Sequence, residues 1–189
     1  MAKPRILFMG TPEFALPALQ HLARGGWPVI GAVTQPDRPQ GRGRTMAPPP
    51  VKTAAHGLGI RVFQPEKVRH PEFLETFRNL SPDLVVVAAF GQILPGEIVC
   101  GPPEGCINIH PSLLPKHPVK EGIAESYASD DRELGITIHY VDYGLDSGPI
   151  ILQESFVRNG NESIQEIEER IHGLEHRLYP MVVLRLLDA

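Results

Sequence analysis

Cysteine is scarce in this chain: Cys100 and Cys106 are the only two in 189 residues. Two are too few for the disulfide framework of a small secreted domain, and neither stands at the spacing of a zinc site. A reducing cytoplasm is the expected compartment, and no metal is expected, since His110, His117 and Cys106 offer no short ligand pair. A long apolar run is missing as well. Ile6 to Met9, ended by Gly10, falls short of a signal-peptide core and far short of a membrane span. The expectation is no export and no membrane anchor. Excess positive charge is also lacking: 18 Lys and Arg against 22 Asp and Glu give a formal net charge of -4, so any contact with a polyanion must be local. There is no internal repeat. Gly10-Thr11-Pro12-Glu13-Phe14 lacks the glycine spacing that lets a pyrophosphate approach a helix start, which argues against nicotinamide binding.

What is present fits a single domain of ordinary size with a packed core, at 42% hydrophobic and 21% charged residues. Short β-branched runs alternate with helical patterns, which predicts βαβ units, a mainly parallel sheet and the α/β class. Strands are expected over 5–9, 29–33, 61–63, 83–89, 106–110, 136–140 and 149–157. Thr11-Pro12-Glu13 offers an N-cap, a first-turn proline and an acid, followed by a helix bearing Phe14, Leu16, Leu19 and Leu22 that stops at Gly25-Gly26. Ser163-Ile164-Gln165-Glu166 is a capping box opening a helix with Ile164, Ile167, Ile171, Leu174 and Leu178 on one face.

Two segments stand out from this regular pattern. Gln35 to Pro50 is a Pro/Gly loop with Arg38, Arg42 and Arg44, and Lys52 lies nearby. Such a loop is either a phosphate-binding element or a solvated excursion. The other segment places Asn108 and His110 at the end of an apolar strand, with Asp146 in a later Gly-rich turn. An amide that donates to an oxyanion, an imidazole that carries a proton and a carboxylate that orients it suit acyl transfer. On spacing alone, a structural role for the same residues is the more frequent case. His139, in a strand expected to alternate, reads as a packing or surface residue.

Several motifs then coincide in order. They are Phe8-Met9-Gly10-Thr11-Pro12-Glu13-Phe14-Ala15, Thr34-Gln35-Pro36-Asp37-Arg38-Pro39 with Gly41-Arg42-Gly43, Gly91-Gln92-Ile93-Leu94-Pro95, Asn108/His110 with Ser112-Leu113-Leu114-Pro115, and the Asp146 loop. Together they resemble the catalytic domain of the methionyl-tRNA formyltransferase family, part of the wider group that uses 10-formyltetrahydrofolate. The resemblance implies a Rossmann-like α/β domain with a mainly parallel central sheet flanked by helices. It implies Asn108, His110 and Asp146 as the catalytic trio. Phe90, Gln92, Ile93 and Leu94, with Val141, Asp142 and Gly144, would line the folate slot. Arg38, Arg42 and Arg44, with Ser112, Leu113, Leu114 and Pro115, would face the acceptor, initiator tRNA in that family.

The last third is similar instead to glycinamide ribonucleotide transformylase, in Gly148-Pro149-Ile150-Ile151-Leu152-Gln153 and Glu175-His176-Arg177-Leu178-Tyr179-Pro180. That enzyme's phosphate loop after the first strand is replaced here by Thr11-Pro12-Glu13-Phe14. Lys116 to Gly122 departs from the tRNA enzymes' pattern, and the chain stops at Ala189, where those enzymes continue into a C-terminal barrel. The expectation is a single catalytic domain over 1–189 without that barrel. The acceptor that the resemblance implies is methionyl-tRNA, with glycinamide ribonucleotide or an amino-sugar nucleotide as rivals. A non-catalytic folate-binding paralogue is the alternative of a different class.

Overall fold

A computed structural model of the chain describes residues 3–40, 45–119 and 121–187. Two compact units divide it, Met1–Cys106 and Ile107–Ala189.

The first unit runs β1 (Ile6–Gly10), a 3-10 turn (Glu13–Ala15), α1 (Leu16–Arg24), β2 (Val29–Val33), β3 (Arg38–Gln40), β4 (Thr45–Ala47), α2 (Pro50–Gly57), β5 (Val62–Phe63), α3 (Pro71–Leu80), β6 (Leu84–Ala88) and α4 (Gly96–Cys100). Its main sheet has the order β5-β2-β1-β6, parallel throughout. Every residue of β1 and β6 is buried. Their unbroken apolar runs match strands covered on both faces, where each Leu, Ile or Val contributes about 1.5–3 kcal/mol on burial. Asp83 lies just before β6, its carboxylate accepting from the Arg5 backbone N–H at 2.6 Å, and Ala89, with φ +47°, follows the strand's end.

The first helix does not start as the sequence predicts. Its leading 3-10 turn has no side-chain cap, and the Thr11 hydroxyl donates instead to the Phe90 carbonyl at 3.0 Å. The turn is possible because residue 10 is glycine: a Cβ there would lie 2.9 Å from both the Ala15 Cβ and the Ala88 carbonyl oxygen. The ends of the Pro/Gly loop form the antiparallel β3–β4 hairpin, with Pro39 opposite Met46. Arg42 and Arg44 lie outside the described residues.

The second unit follows from β7 (Cys106–His110) through α5 (Gly122–Ala128), β8 (Glu133–Tyr140), β9 (Ile150–Val157) and α6 (Ile164–Leu187). Here β7, β8 and β9 are antiparallel neighbours. The expected alternation in β8 is absent, and Leu134 to His139 are all buried. The capping box forms: the Ser163 N–H donates to Glu166 Oε2 at 2.7 Å, and the Glu166 N–H donates to Ser163 Oγ at 3.3 Å. Helix α6 buries Ile167, Ile171 and Leu178 as expected, but Glu175 rather than Leu174, while Ile164 is exposed. The Tyr179 hydroxyl donates to the Ile107 carbonyl at 3.1 Å, tying α6 to β7.

Candidate active site

Asn108 and His110, two residues apart on β7, point to one face, and antiparallel pairing sets them opposite His139 and Thr137 of β8. The β8–β9 loop brings Asp146 back onto this face. Asp146 Oδ2 lies 3.3 Å from His110 Nδ1, and Oδ1 lies 3.4 Å from Asn108 Nδ2 and 3.5 Å from His139 Nε2. The three side chains expected to converge therefore do so, and His139 joins them.

The loop is held for this purpose at several points. Asp142 Oδ1 accepts from the Gly144 N–H at 3.0 Å and from the Ser147 hydroxyl at 2.9 Å, and the Tyr140 N–H donates to the Pro149 carbonyl at 2.9 Å. Asp146 itself has φ +48°, a left-handed backbone uncommon outside glycine and concentrated at functional positions.

The His139 ring beside it holds the Asp146 carboxyl below the usual range, helped by the His110 charge and the Asn108 amide and opposed by burial. On its far side, His110 Nε2 is 2.9 Å from the His117 carbonyl oxygen. Both ring nitrogens of His110 thus face oxygen acceptors, and only the doubly protonated ring donates to both. His139 is fixed similarly, with Nδ1 2.9 Å from the Tyr140 carbonyl oxygen. Contacts of 3.3–3.5 Å around Asp146 are long for hydrogen bonds, so the donors remain available to a ligand oxygen.

Of the two readings of His139, packing or surface, the structure removes the second. His139 is 1% exposed and touches the carboxylate, so it is not a surface residue. Its position opposite Asn108 depends on strand register, which local pattern does not reveal. The one available signal is its place near the end of the strand that leads into the Asp146 turn.

The expected folate segments differ in character. The Phe90 ring is buried, and its carbonyl accepts from Thr11 Oγ1 at 3.0 Å and Gln35 Nε2 at 3.2 Å. Gln92 braces its own unit, accepting from the Val68 N–H at 2.9 Å and donating to the Glu66 carbonyl at 3.3 Å. Ile93 is 92% exposed and Leu94 partly so. In the second unit Val141 and Asp142 are partly exposed and Gly144 is exposed.

Among the expected acceptor residues, Ser112 and Leu114 are buried and Leu113 partly so, leaving Pro115 exposed. The Thr137 hydroxyl donates to the Ser112 carbonyl at 2.7 Å and accepts from the Leu114 N–H at 3.0 Å. Gln153 Nε2 donates to the Leu114 carbonyl at 2.7 Å. Arg38 is paired with Glu66 at 2.8 Å on the surface, and Lys52 with Asp37 at 2.8 Å. Among the described residues no group of three or more His, Cys, Asp or Glu side chains is placed so that it could hold a metal ion, and no helix is long and apolar enough to cross a membrane.

An α/β chain that gathers an amide, two imidazoles and a carboxylate on one strand pair has the groups of an acyl-transfer site. The formyl transferase family model matches residues 4–183, and the chain belongs to that family. It is 49% identical over 189 residues to methionyl-tRNA formyltransferase of Syntrophus aciditrophicus, covering 100% of this chain and 60% of that protein. The enzyme of the same name from Geotalea uraniireducens is 47% identical over 171 residues, 90% of this chain and 55% of that protein. The chain thus spans little more than half the length of these relatives. Among solved structures, glycinamide ribonucleotide transformylase 1 from Geobacillus kaustophilus superposes with a TM-score of 0.81 at 28% identity, over 98% of this chain and 100% of that one. The α/β class, with a mainly parallel central sheet flanked by helices, is shared with that structure.

Proposed function

We propose that residues 1–189 act as one catalytic domain that transfers a formyl group from 10-formyltetrahydrofolate to a primary amine, that of initiator methionyl-tRNA. The observation that carries this reading is the single carboxylate of Asp146 meeting His110, Asn108 and His139 within 3.3–3.5 Å. The folate supplies the formyl carbon. As the neutral amine adds to it, negative charge grows on the formyl oxygen, and Asn108 Nδ2 and the charged His110 ring donate to that oxygen. Removing one such donor raises a barrier by about 3 kcal/mol. Asp146 keeps the imidazolium paired and relays the amine proton toward the leaving nitrogen through water.

For the folate, the exposed apolar side chain of Ile93, with Leu94, supports a hydrophobic cover for a flat ring in the first unit. In the second unit Gly144 is exposed with its N–H committed to Asp142, which leaves its carbonyl to support recognition of a polar edge. Phe90, Gln92, Val141 and Asp142 are assigned to the same folate segments, where hydrogen bonds of the Phe90 carbonyl and of the Gln92 and Asp142 side chains hold the backbone. The acceptor side is assigned to Arg38, Arg42 and Arg44 and to the Ser112 to Pro115 tail, with Leu113 and Pro115 at the surface. The identity to named methionyl-tRNA formyltransferases favours tRNA over glycinamide ribonucleotide. Few cysteines support a cytoplasmic setting.

The test is incubation of the chain with 10-formyltetrahydrofolate and either methionyl-tRNA or glycinamide ribonucleotide, with tetrahydrofolate release as readout. Turnover with methionyl-tRNA that His110→Ala abolishes is expected. Folate binding without turnover on either amine sinks the enzymatic reading, and turnover on glycinamide ribonucleotide alone sinks the acceptor.

A further inference from the structure

The His110 ring has a second anchor, made by residues with no part in the chemistry above. Its Nε2 is 2.9 Å from the His117 carbonyl oxygen, and because a carbonyl only accepts, that nitrogen carries the hydrogen. The carbonyl is aimed by an unusual backbone. His117 has φ +51°, a left-handed conformation that costs a residue with a Cβ free energy and persists only where its surroundings impose it.

Those surroundings are specific. His117 Nε2 lies 3.0 Å from Asp131 Oδ2, and Lys116 Nζ donates to Asp131 Oδ1 at 2.6 Å, so one carboxylate clamps two successive side chains. The backbone between is tied down as well: Ser112 Oγ donates to the Lys116 carbonyl at 2.6 Å, and the Val119 N–H donates to the His117 carbonyl at 2.8 Å. Asp131 is itself held. Its N–H donates to Ser129 Oγ at 3.2 Å, while the Arg158 guanidinium donates to the Tyr127 and Ser129 carbonyls at 2.7 and 2.9 Å. Lys116 and His117 bring the Asp131 carboxyl down to about 2, so this carboxylate is ionised throughout the neutral range. From the other side α5 closes on the same nitrogen: a Cβ on Gly122 would stand 3.2 Å from His110 Nε2.

We infer that Asp131 is a positioning residue for His110. By clamping Lys116 and His117 it holds the His117 carbonyl against Nε2, which keeps Nδ1 turned to Asp146. The effect on rate rests on the formyl-transfer reading, whereas the effect on the ring does not. A surface ion pair ordinarily contributes little. This one matters through the backbone it fixes, so its loss is felt at a ring it never touches.

The experiment uses the chain labelled with 15N at histidine, with the His110 signals assigned through His110→Gln. In Asp131→Ala and His117→Ala the Nε2–H proton of His110 is expected to exchange with water about tenfold faster or more, while the Nδ1–H facing Asp146 is less affected. Formyl-transfer kcat should fall roughly tenfold to a hundredfold, as for a misplaced catalytic group. KM for 10-formyltetrahydrofolate should stay within about twofold. Glycine adopts the left-handed backbone without an anchor, so His117→Gly should recover most of both readouts. Adding Asp131→Ala to His117→Gly should then change little, as coupled sites require. Unchanged exchange in both alanine variants overturns the inference, as does a His117→Gly as impaired as His117→Ala. If Asp131→Ala fails to fold, the two His117 variants decide. If the parent transfers no formyl group, proton exchange alone decides, so failure of the function and failure of the clamp are told apart.

Discussion

His139 Nε2 faces Asp146 Oδ1 at 3.5 Å, and this contact, more than the His110 charge, keeps the Asp146 carboxyl ionised against the pull of burial. His139→Ala should therefore raise the Asp146 carboxyl. The sign follows from the direction of its shift. A carboxyl held low in the folded chain adds stability above its unfolded value and loses it as pH falls through the folded one. The variant loses part of that contribution, so its deficit against the parent is greatest near neutrality and closes in acid. Formyl transfer should drop roughly tenfold from the loosened trio, and the acid limb of its pH profile should move upward. An acid limb unmoved in His139→Ala would show that His139 only fills space.

Gly148 lies directly against the Tyr140 carbonyl, where a Cβ would overlap the oxygen. Gly148→Ala must push the Asp146 loop off the β7–β8 face. Expected are a kcat loss of about a hundredfold and a stability loss of roughly 1–3 kcal/mol, read by transfer assay and urea denaturation. Gly173 is the contrasting case, inside α6 with no neighbouring atom within 4 Å of where a Cβ would stand. Gly173→Ala should stabilise by about 0.5–1 kcal/mol and leave kcat alone.

Glu175 is 2% exposed, its Oε1 has no hydrogen-bond partner among the described residues, and burial pushes its carboxyl up to about 7 despite the His172 contact at 3.0 Å. A raised carboxyl binds its proton more tightly when folded. The cost is absent below the ordinary value near 4.5, grows as pH rises, and is complete above about 7. Glu175→Gln keeps an acceptor for His172 without the charge. It should be more stable than the parent by roughly 1–3 kcal/mol at pH 8 and nearly equal to it at pH 4.5. A stability difference that does not change between those pH values argues against the titration.

The parallel strands are legible because runs such as Leu84 to Ala88 are apolar without interruption, and the α6 cap because Ser163 and Glu166 interact within one helical turn. Local signals of that kind survive folding. Thr11 misleads because its hydroxyl finds a partner 79 residues away in Phe90, a competition that no cap pattern contains. Asn108, His110 and Asp146 are named through family resemblance, and His139 is missed for want of register. Glu175 is hidden by the same limit, since a helix's exposed and buried faces differ by one residue and the neighbouring Leu174 fits the pattern better.

Thr137 shows how much the tail after β7 depends on a single hydroxyl. It donates to the Ser112 carbonyl at 2.7 Å and accepts from the Leu114 N–H at 3.0 Å and from Gln153 Nε2 at 2.9 Å. Thr137→Val preserves shape while leaving a buried N–H and a buried carbonyl without that partner, at a cost of roughly 2–4 kcal/mol. Gln153 lies nearer solvent, so water can replace part of its role, and Gln153→Ala should cost less, about 1 kcal/mol. Because both side chains hold Leu114, the double variant should fall short of the sum of the two, measurable by urea denaturation. Strict additivity would mean that the two side chains support the tail independently, and the tail would then be free to shift at one end while the other stays fixed.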